Sequence, residues 1–117
     1  MALSQEPQIL AQTVVVANTD TTLYTIPADR AAVITAISAC NIGATARTFR
    51  VAFRLNGVAI ANQMYIVFDL TLNGNDTWQA PRNYGMNVTG GADILMVRAN
   101  HADVVFQCHG LVIDLTP

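Results

Sequence analysis

The chain has 117 residues, which fits one domain and is too short for two ordinary ones. Apolar residues make up 52% of the sequence and charged residues 12%, about half of the roughly 25% usual in soluble domains; this argues against a disordered chain. The net charge of −2 argues against a nucleic-acid-binding surface, which is normally basic, and the apolar runs are too short and interrupted to span a bilayer.

The scarcity of charge suggests that much of the surface contacts protein, because the centres of interfaces are depleted in charged residues. The alternative is a monomer with a polar but uncharged surface. All six basic residues are arginines, which tolerate desolvation at interfaces better than lysines do. Composition therefore favours the interface interpretation.

The sequence is predicted to begin with an N-terminal arm, residues 1–12, that becomes ordered only against a neighbour. The remainder, 13–117, is predicted to be a β-sandwich domain. Its first β-branched segments are 13–17 and 21–26, and a turn follows at Pro27-Ala28-Asp29-Arg30. Segment 31–42 is apolar on both faces, as is typical of a central sandwich strand.

The strongest pattern in the sequence is a hairpin. Apolar residues alternate at positions 49, 51, 53 and 55, and again at 64, 66, 68, 70 and 72, which predicts two strands with these rows facing the core. Between them, Asn56-Gly57 is a turn signal, because both residues accept positive φ. The pattern does not restrict the connection between the two strands to these two residues.

Two loops, at 73–76 and 89–93, precede a last pair of strands at 94–99 and 104–115. Turn signals recur about every 8–12 residues, the spacing of sandwiches and barrels. The sequence therefore predicts an all-β fold, a single antiparallel β-sandwich of about seven or eight strands, with either a jelly-roll or an immunoglobulin-like strand order.

Catalytic chemistry has few candidates. Nucleophilic catalysis needs a Ser or Cys beside a base. The candidate nucleophiles are Cys40, Cys108, Ser4 and Ser38, and the candidate histidine bases are His101 and His109. Cys108 and His109 are adjacent on a strand, so their side chains are expected on opposite faces. We read both cysteines as reduced, buried residues. The sequence predicts no catalytic residues and a protein that is not an enzyme.

Metal and cofactor sites are also not expected. No pair of His or Cys residues has zinc-ligand spacing, and no glycine-rich loop opens a helix. The oxygen-rich loop 73–76 would suit calcium, but it is equally a good turn. Glycoside hydrolysis needs a pair of carboxylates, so two aspartates would have to lie close together in the fold. The candidates for such a pair are Asp69, Asp76, Asp93, Asp103 and Asp114.

Two groups of residues are candidates for an interface. Trp78, Arg82 and Tyr84 lie in an irregular stretch, where they would form either a binding hot spot or a loop with Trp78 plugging the core. Arg47, Arg50 and Arg54 would suit an acidic neighbour, although solvated strand faces often carry such residues.

Segments 23–28 (Leu-Tyr-Thr-Ile-Pro-Ala), 32–37 (Ala-Val-Ile-Thr-Ala-Ile) and 40–43 (Cys-Asn-Ile-Gly), with Val51-Ala52-Phe53, resemble small virion proteins of tailed bacteriophages. The similarity covers roughly residues 21–55 and carries no catalytic residue. It implies a β-sandwich subunit that decorates (cements) a capsid, or a part of the neck, tail or fibre.

The resemblance further implies an oligomer, a trimer or a dimer, that binds the major capsid protein and neither nucleic acid nor membrane. Its expected location is the capsid surface of the virion, after synthesis in the bacterial host cytoplasm. A carbohydrate-binding β-sandwich module is the remaining alternative.

Overall fold

A computed structural model describes residues 7–115. Short 3₁₀ turns at Leu55–Gly57 and Asn62–Met64 join the fourth strand to the fifth. The nine strands are β1 (Pro7–Val14), β2 (Thr21–Thr25), β3 (Arg30–Asn41), β4 (Arg47–Arg54), β5 (Tyr65–Leu72), β6 (Thr77–Gln79), β7 (Tyr84–Met86), β8 (Ile94–Ala99) and β9 (Val104–Asp114).

The strands form two antiparallel sheets that pack as a sandwich, so the predicted fold class is confirmed. The first sheet has the order β1-β9-β3-β6, with β7 also paired to β3, and the second has the order β2-β8-β4-β5. β6 pairs with 38–40 of β3 and β7 with 32–34, so the two act as one interrupted strand.

The pairings are nested. The first strand pairs with the last, β2 with β8, β3 with the interrupted strand, and β4 with its successor β5. A long hairpin rolled up into two sheets has this order, which is that of a jelly roll. Of the two strand orders left open by the sequence, the jelly-roll order is observed and the immunoglobulin-like order is not.

Inward-facing residues of both sheets form the core. Phe49 of β4 joins the two layers, because its ring centroid lies 5.3 Å from that of Trp78 and 6.2 Å from that of Phe106, both in the first sheet. Ile34, Ile37 and other fully buried side chains complete this cluster. Each fully buried large apolar side chain contributes about 1.5–3 kcal/mol.

The first strand begins earlier than the predicted domain boundary. Pro7 pairs with Leu111 and Val14 with Val105, so residues 7–12, expected to belong to the arm, form an edge strand of the first sheet. The rest of the predicted arm, residues 1–6, lies outside the described residues.

The predicted apolar row of β5 does not face the core as a unit. Val67 and Leu72 are buried, whereas Ile66, Phe68 and Leu70 are 36%, 57% and 45% exposed. The cause is a β-bulge: Asp69 has φ of 51°, and the β4–β5 register shifts beside it. A bulge inserts an extra residue, so residues on either side of it change faces.

The β4–β5 hairpin itself is confirmed. Asn56 (φ 56°) and Gly57 (φ 68°) take the positive φ values that the sequence indicated. Arg54 holds the connection in place, since its guanidinium donates hydrogen bonds to the carbonyl oxygens of Val58 (2.8 Å) and Gly57 (3.1 Å).

Candidate functional site

The outer face of the second sheet carries arginines that are already paired. Arg50 lies directly opposite Arg98 across β4 and β8, an arrangement that would be repulsive without acidic partners. Arg50 binds Asp69 through two hydrogen bonds of 2.7 and 3.1 Å, and Arg98 binds Asp20 at 3.2 Å. The charge of this face is therefore largely neutralised within the chain.

Arg50 also covers part of an aromatic pair. Its guanidinium carbon lies 4.1 Å from the Phe68 ring centroid, and Phe68 contacts Tyr65 edge-to-face at 4.9 Å. The hydrogen bond from Arg50 holds the pKa of Asp69 below its ordinary value. This cluster fixes the side chains around the β5 bulge.

The structure separates Arg47 from the other two arginines of the predicted group. Arg50 and Arg54 share the outer face of β4, whereas Arg47 lies at the end of the strand and pairs with Asp103 at 3.4 Å. The Nε atom of Arg47 is buried and has no hydrogen-bond partner within the described range 7–115.

Trp78 and Tyr84 pack against the core. Trp78 contacts Phe49, and the Tyr84 ring centroid lies 4.9 Å from that of Phe53. Arg82, in the turn between them, is exposed and makes no ion pair among residues 7–115. Of the two interpretations of this stretch, the contacts of Trp78 fit the loop that plugs the core.

An exposed apolar strip runs along the open side of the sandwich where β5 faces β6. We call it the apolar edge, and it consists of Ile66, Phe68, Leu70, Trp78 and Pro81. These residues, with Val67, line a groove of about 340 Å³. Contiguous apolar surface of this kind marks interaction sites more often than scattered single residues do.

The outer face of the first sheet is uncharged over almost its whole length. Arg30 and Asp114 are the only charged residues in its five strands, and they pair with each other at 2.9 Å at one end. We call this surface the neutral face. On β9 it consists of Val105, Gln107, His109, Leu111 and Ile113. The residues paired with them include Ile9, Gln12 and Val14 on β1 and Val33, Ser38 and Cys40 on β3.

Polar groups on the neutral face bond to one another. The side-chain amide of Gln12 donates to Oε1 of Gln107 at 3.2 Å, and Nε2 of His109 lies 3.3 Å from the same oxygen. Beside this row, Val14, Ser38 and Cys40 border a shallow groove of about 400 Å³. The face combines apolar and neutral polar groups and offers no fixed charge to water.

The cysteine and histidine candidates do not come together. Cys108 is fully buried in the core and its burial raises the pKa of its thiol to about 11, while His109 lies on the neutral face. Both cysteines are free thiols, and Cys40 lies opposite Val105 on the neutral face. The expected separation of Cys108 from its neighbour His109 is observed, whereas Cys40 is only partly buried rather than a core residue.

The aspartates have separate partners. Asp69 and Asp103 bind arginines, and Asp76 accepts the backbone N–H of Thr77 at 2.8 Å in the turn that the sequence indicated. Within residues 7–115, no three His, Cys, Asp or Glu side chains are grouped so that they could hold a metal ion.

The structural role of two buried polar side chains, Asn41 and Asp93, was not predicted from the sequence. Asn41 donates to the carbonyl oxygens of Thr45 (2.8 Å) and Leu72 (3.0 Å), and accepts the N–H of Gly43 (3.0 Å). The only sequence signal of this role is the Asn-x-Gly motif at the end of β3.

At the opposite end of β4, Asp93 accepts the N–H groups of Asn56 (2.8 Å) and Asn87 (3.0 Å). Its position next to Gly90-Gly91 marked a loop and gave no sign of burial. Asn41 and Asp93 therefore hold the loops at the two ends of β4.

Comparisons with known proteins give no relative: no protein-family model, curated protein or solved structure matches the chain. The described residues include no helix with the length and apolar character needed to cross a membrane.

Proposed function

We propose that this chain is a non-enzymatic structural protein of a tailed-bacteriophage virion, a capsid decoration (cement) subunit that bridges capsid proteins and stabilises the head. The observation that carries the proposal is the presence of two surfaces poor in charge, the neutral face and the apolar edge, which share no residue. A bridging subunit needs two separate contact surfaces, and interface centres are poor in charge.

The architecture supports an adhesive role. The buried side chains of Asn41, which donates to Leu72, and Asp93, which accepts from Asn56, hold the loops at both ends of β4, so the sandwich presents its surfaces as a rigid block. Jelly rolls occur in viral capsid proteins, an analogy of fold that carries less weight than the surfaces. Stabilisation would come from contact area repeated over many copies.

The apolar edge is the surface that we assign to the major capsid protein, with Arg82 beside it as a charged contact at the rim. Its residues lie at the open edge of the sheets, where a partner strand or loop has access. Residues 1–6 would add contacts if they act as the predicted arm.

The test is the number of copies of this chain in purified virus particles, measured by quantitative mass spectrometry against the major capsid protein. We expect a comparable number of copies. A few copies per particle would indicate a neck, tail or fibre component, which is the second candidate. Absence from particles would overturn both.

A second measurement tests the assigned surface. Ile66→Asp and Leu70→Asp should abolish binding to capsids that lack the chain, because a carboxylate would be buried there without a partner. Thr22→Asp, an exposed change on the opposite edge strand, is the control and should bind normally. Equal binding by all variants would exclude the apolar edge.

A further inference from the structure

We propose that the neutral face is the contact between two copies of this chain, packed first sheet against first sheet about a two-fold axis. The inference deepens the assembly role proposed above and rests on it, because it assigns the second copy to one surface and leaves the apolar edge for the capsid.

Charge is the first argument. In a two-fold contact both copies use the same surface, so a charged group near the axis lies close to the same group of the other copy and is repelled by it. The neutral face carries a charge only at one end, where Arg30 and Asp114 neutralise each other. The outer face of the second sheet would instead place Arg50 and Arg98 of both copies in the contact. A neutral face is complementary to another neutral face, and a second copy of the chain provides such a face.

Size is the second argument. The five strands of the first sheet have 8, 12, 3, 3 and 11 residues. With about 3.3 Å per residue and about 4.8 Å between strands, the face measures roughly 590 Å² per copy. Two copies would bury about 1,200 Å², which is at the lower end of the range of about 1,200–2,000 Å² for stable, specific interfaces.

Shape and hydrogen bonding are the third argument. Ile9 and Val14, 58% and 66% exposed, form a ridge on the edge strand, and beside it the small side chains of Ser38 and Cys40 border the shallow groove. A two-fold axis lets the ridge of each copy occupy the groove of the other. Nε2 of Gln107 has no hydrogen-bond partner among residues 7–115 and is free to donate across the contact.

The experiment measures the mass of the purified full chain by sedimentation equilibrium. We expect a dimer of twice the 12.6 kDa chain mass. Gln107→Arg places one arginine of each copy near the axis and should weaken the dimer at least about 100-fold. Gln63→Arg makes the same change at an exposed 3₁₀ turn away from the face and should leave the dimer intact.

Val14→Lys is the second variant, chosen because Val14 is largely exposed and its replacement is compatible with the folded chain. Circular dichroism confirms folding of each variant. A monomeric wild type, a trimer, or a dimer unchanged in both Gln107→Arg and Val14→Lys would overturn the proposal.

The two proposals fail in different ways. A dimer broken by these variants but absent from virus particles would remove the virion role and keep the neutral-face contact. A chain that is monomeric in solution but abundant in virus particles would remove the neutral-face contact and keep the virion role.

Discussion

In both sheets the outer face is formed by every second residue of the strands. The two outer faces differ in how many charged residues they carry and how these are paired. The second sheet displays Arg50, Arg54 and Arg98, each bound to a group of its own chain. The first sheet displays neutral side chains, and its one ion pair, Arg30–Asp114, lies at one end. A face with internally paired charges is suited to water, whereas a face without charge loses little solvation when another protein covers it.

Both faces depend on the core between them, and breaking that core has the largest expected effect. Phe49→Ala should lower the free energy of unfolding by about 3–5 kcal/mol, because Phe49 contacts Trp78 and Phe106 of the first sheet from the second. Urea unfolding measures the change. Phe68→Ala, the same substitution at an exposed site, is the control and should cost under about 1 kcal/mol. Equal losses would show that the two phenylalanines are not buried as described.

The loop anchor at Asp93 comes next. Asp93→Ala leaves the N–H groups of Asn56 and Asn87 without their acceptor and should cost about 1–3 kcal/mol. Thermal unfolding measures it, with the exposed Asp76→Ala as the control, for which a loss below about 1 kcal/mol is expected. A neutral effect of Asp93→Ala would contradict the anchoring role.

Thiol labelling compares the neutral face with the core directly. Cys40 should react with a disulfide reagent at pH 8 at least about 10-fold faster than Cys108, because burial raises the pKa of the Cys108 thiol to about 11 and blocks access. The variants Cys40→Ser and Cys108→Ser each lack one thiol, so they show which cysteine gives the fast phase of labelling and which gives the slow phase. Faster labelling of Cys40 in the Gln107→Arg variant would locate Cys40 in the contact; equal rates for the two cysteines would contradict the burial.

The smallest expected effect concerns the charged face. Asp69→Asn removes the partner of Arg50 and leaves Arg50 opposite Arg98, which should lower the free energy of unfolding slightly, and by less at high salt. The pKa of Asp69 is lowered by folding, so its contribution is present above the unfolded pKa and is lost as the pH falls through the folded pKa. The difference in unfolding free energy between wild type and Asp69→Asn should therefore shrink in acid. A constant difference from pH 7 to pH 2 would contradict the ion pair.

The sequence predicted local features well and long-range ones poorly. The all-β class, the β4–β5 hairpin and the turn at Asn56 followed from alternation and turn chemistry. The jelly-roll order did not, because it depends on pairing between strands as distant as β1 and β9, which no local pattern encodes. The orientation predicted for the β5 row was wrong because the register between β4 and β5 shifts twice, once beside Asp69, which takes a positive φ.

The candidate surfaces show the same limit. Low charge predicted an interface, but only the pairing of β1, β3 and β9 shows that the uncharged residues gather on one face. The arginines were visible in the sequence, whereas the partner of Arg98 lies 78 residues away at Asp20, so their neutralisation was not.

The pairing of the first strand with the last also places both ends of the described chain at one pole. Pro7 lies opposite Leu111 on a neighbouring strand, about 5 Å away. Two halves of a split fluorescent reporter joined to the two ends would therefore meet when the chain folds and separate when it unfolds. Fluorescence in living cells would then report the folding of each variant before any protein is purified.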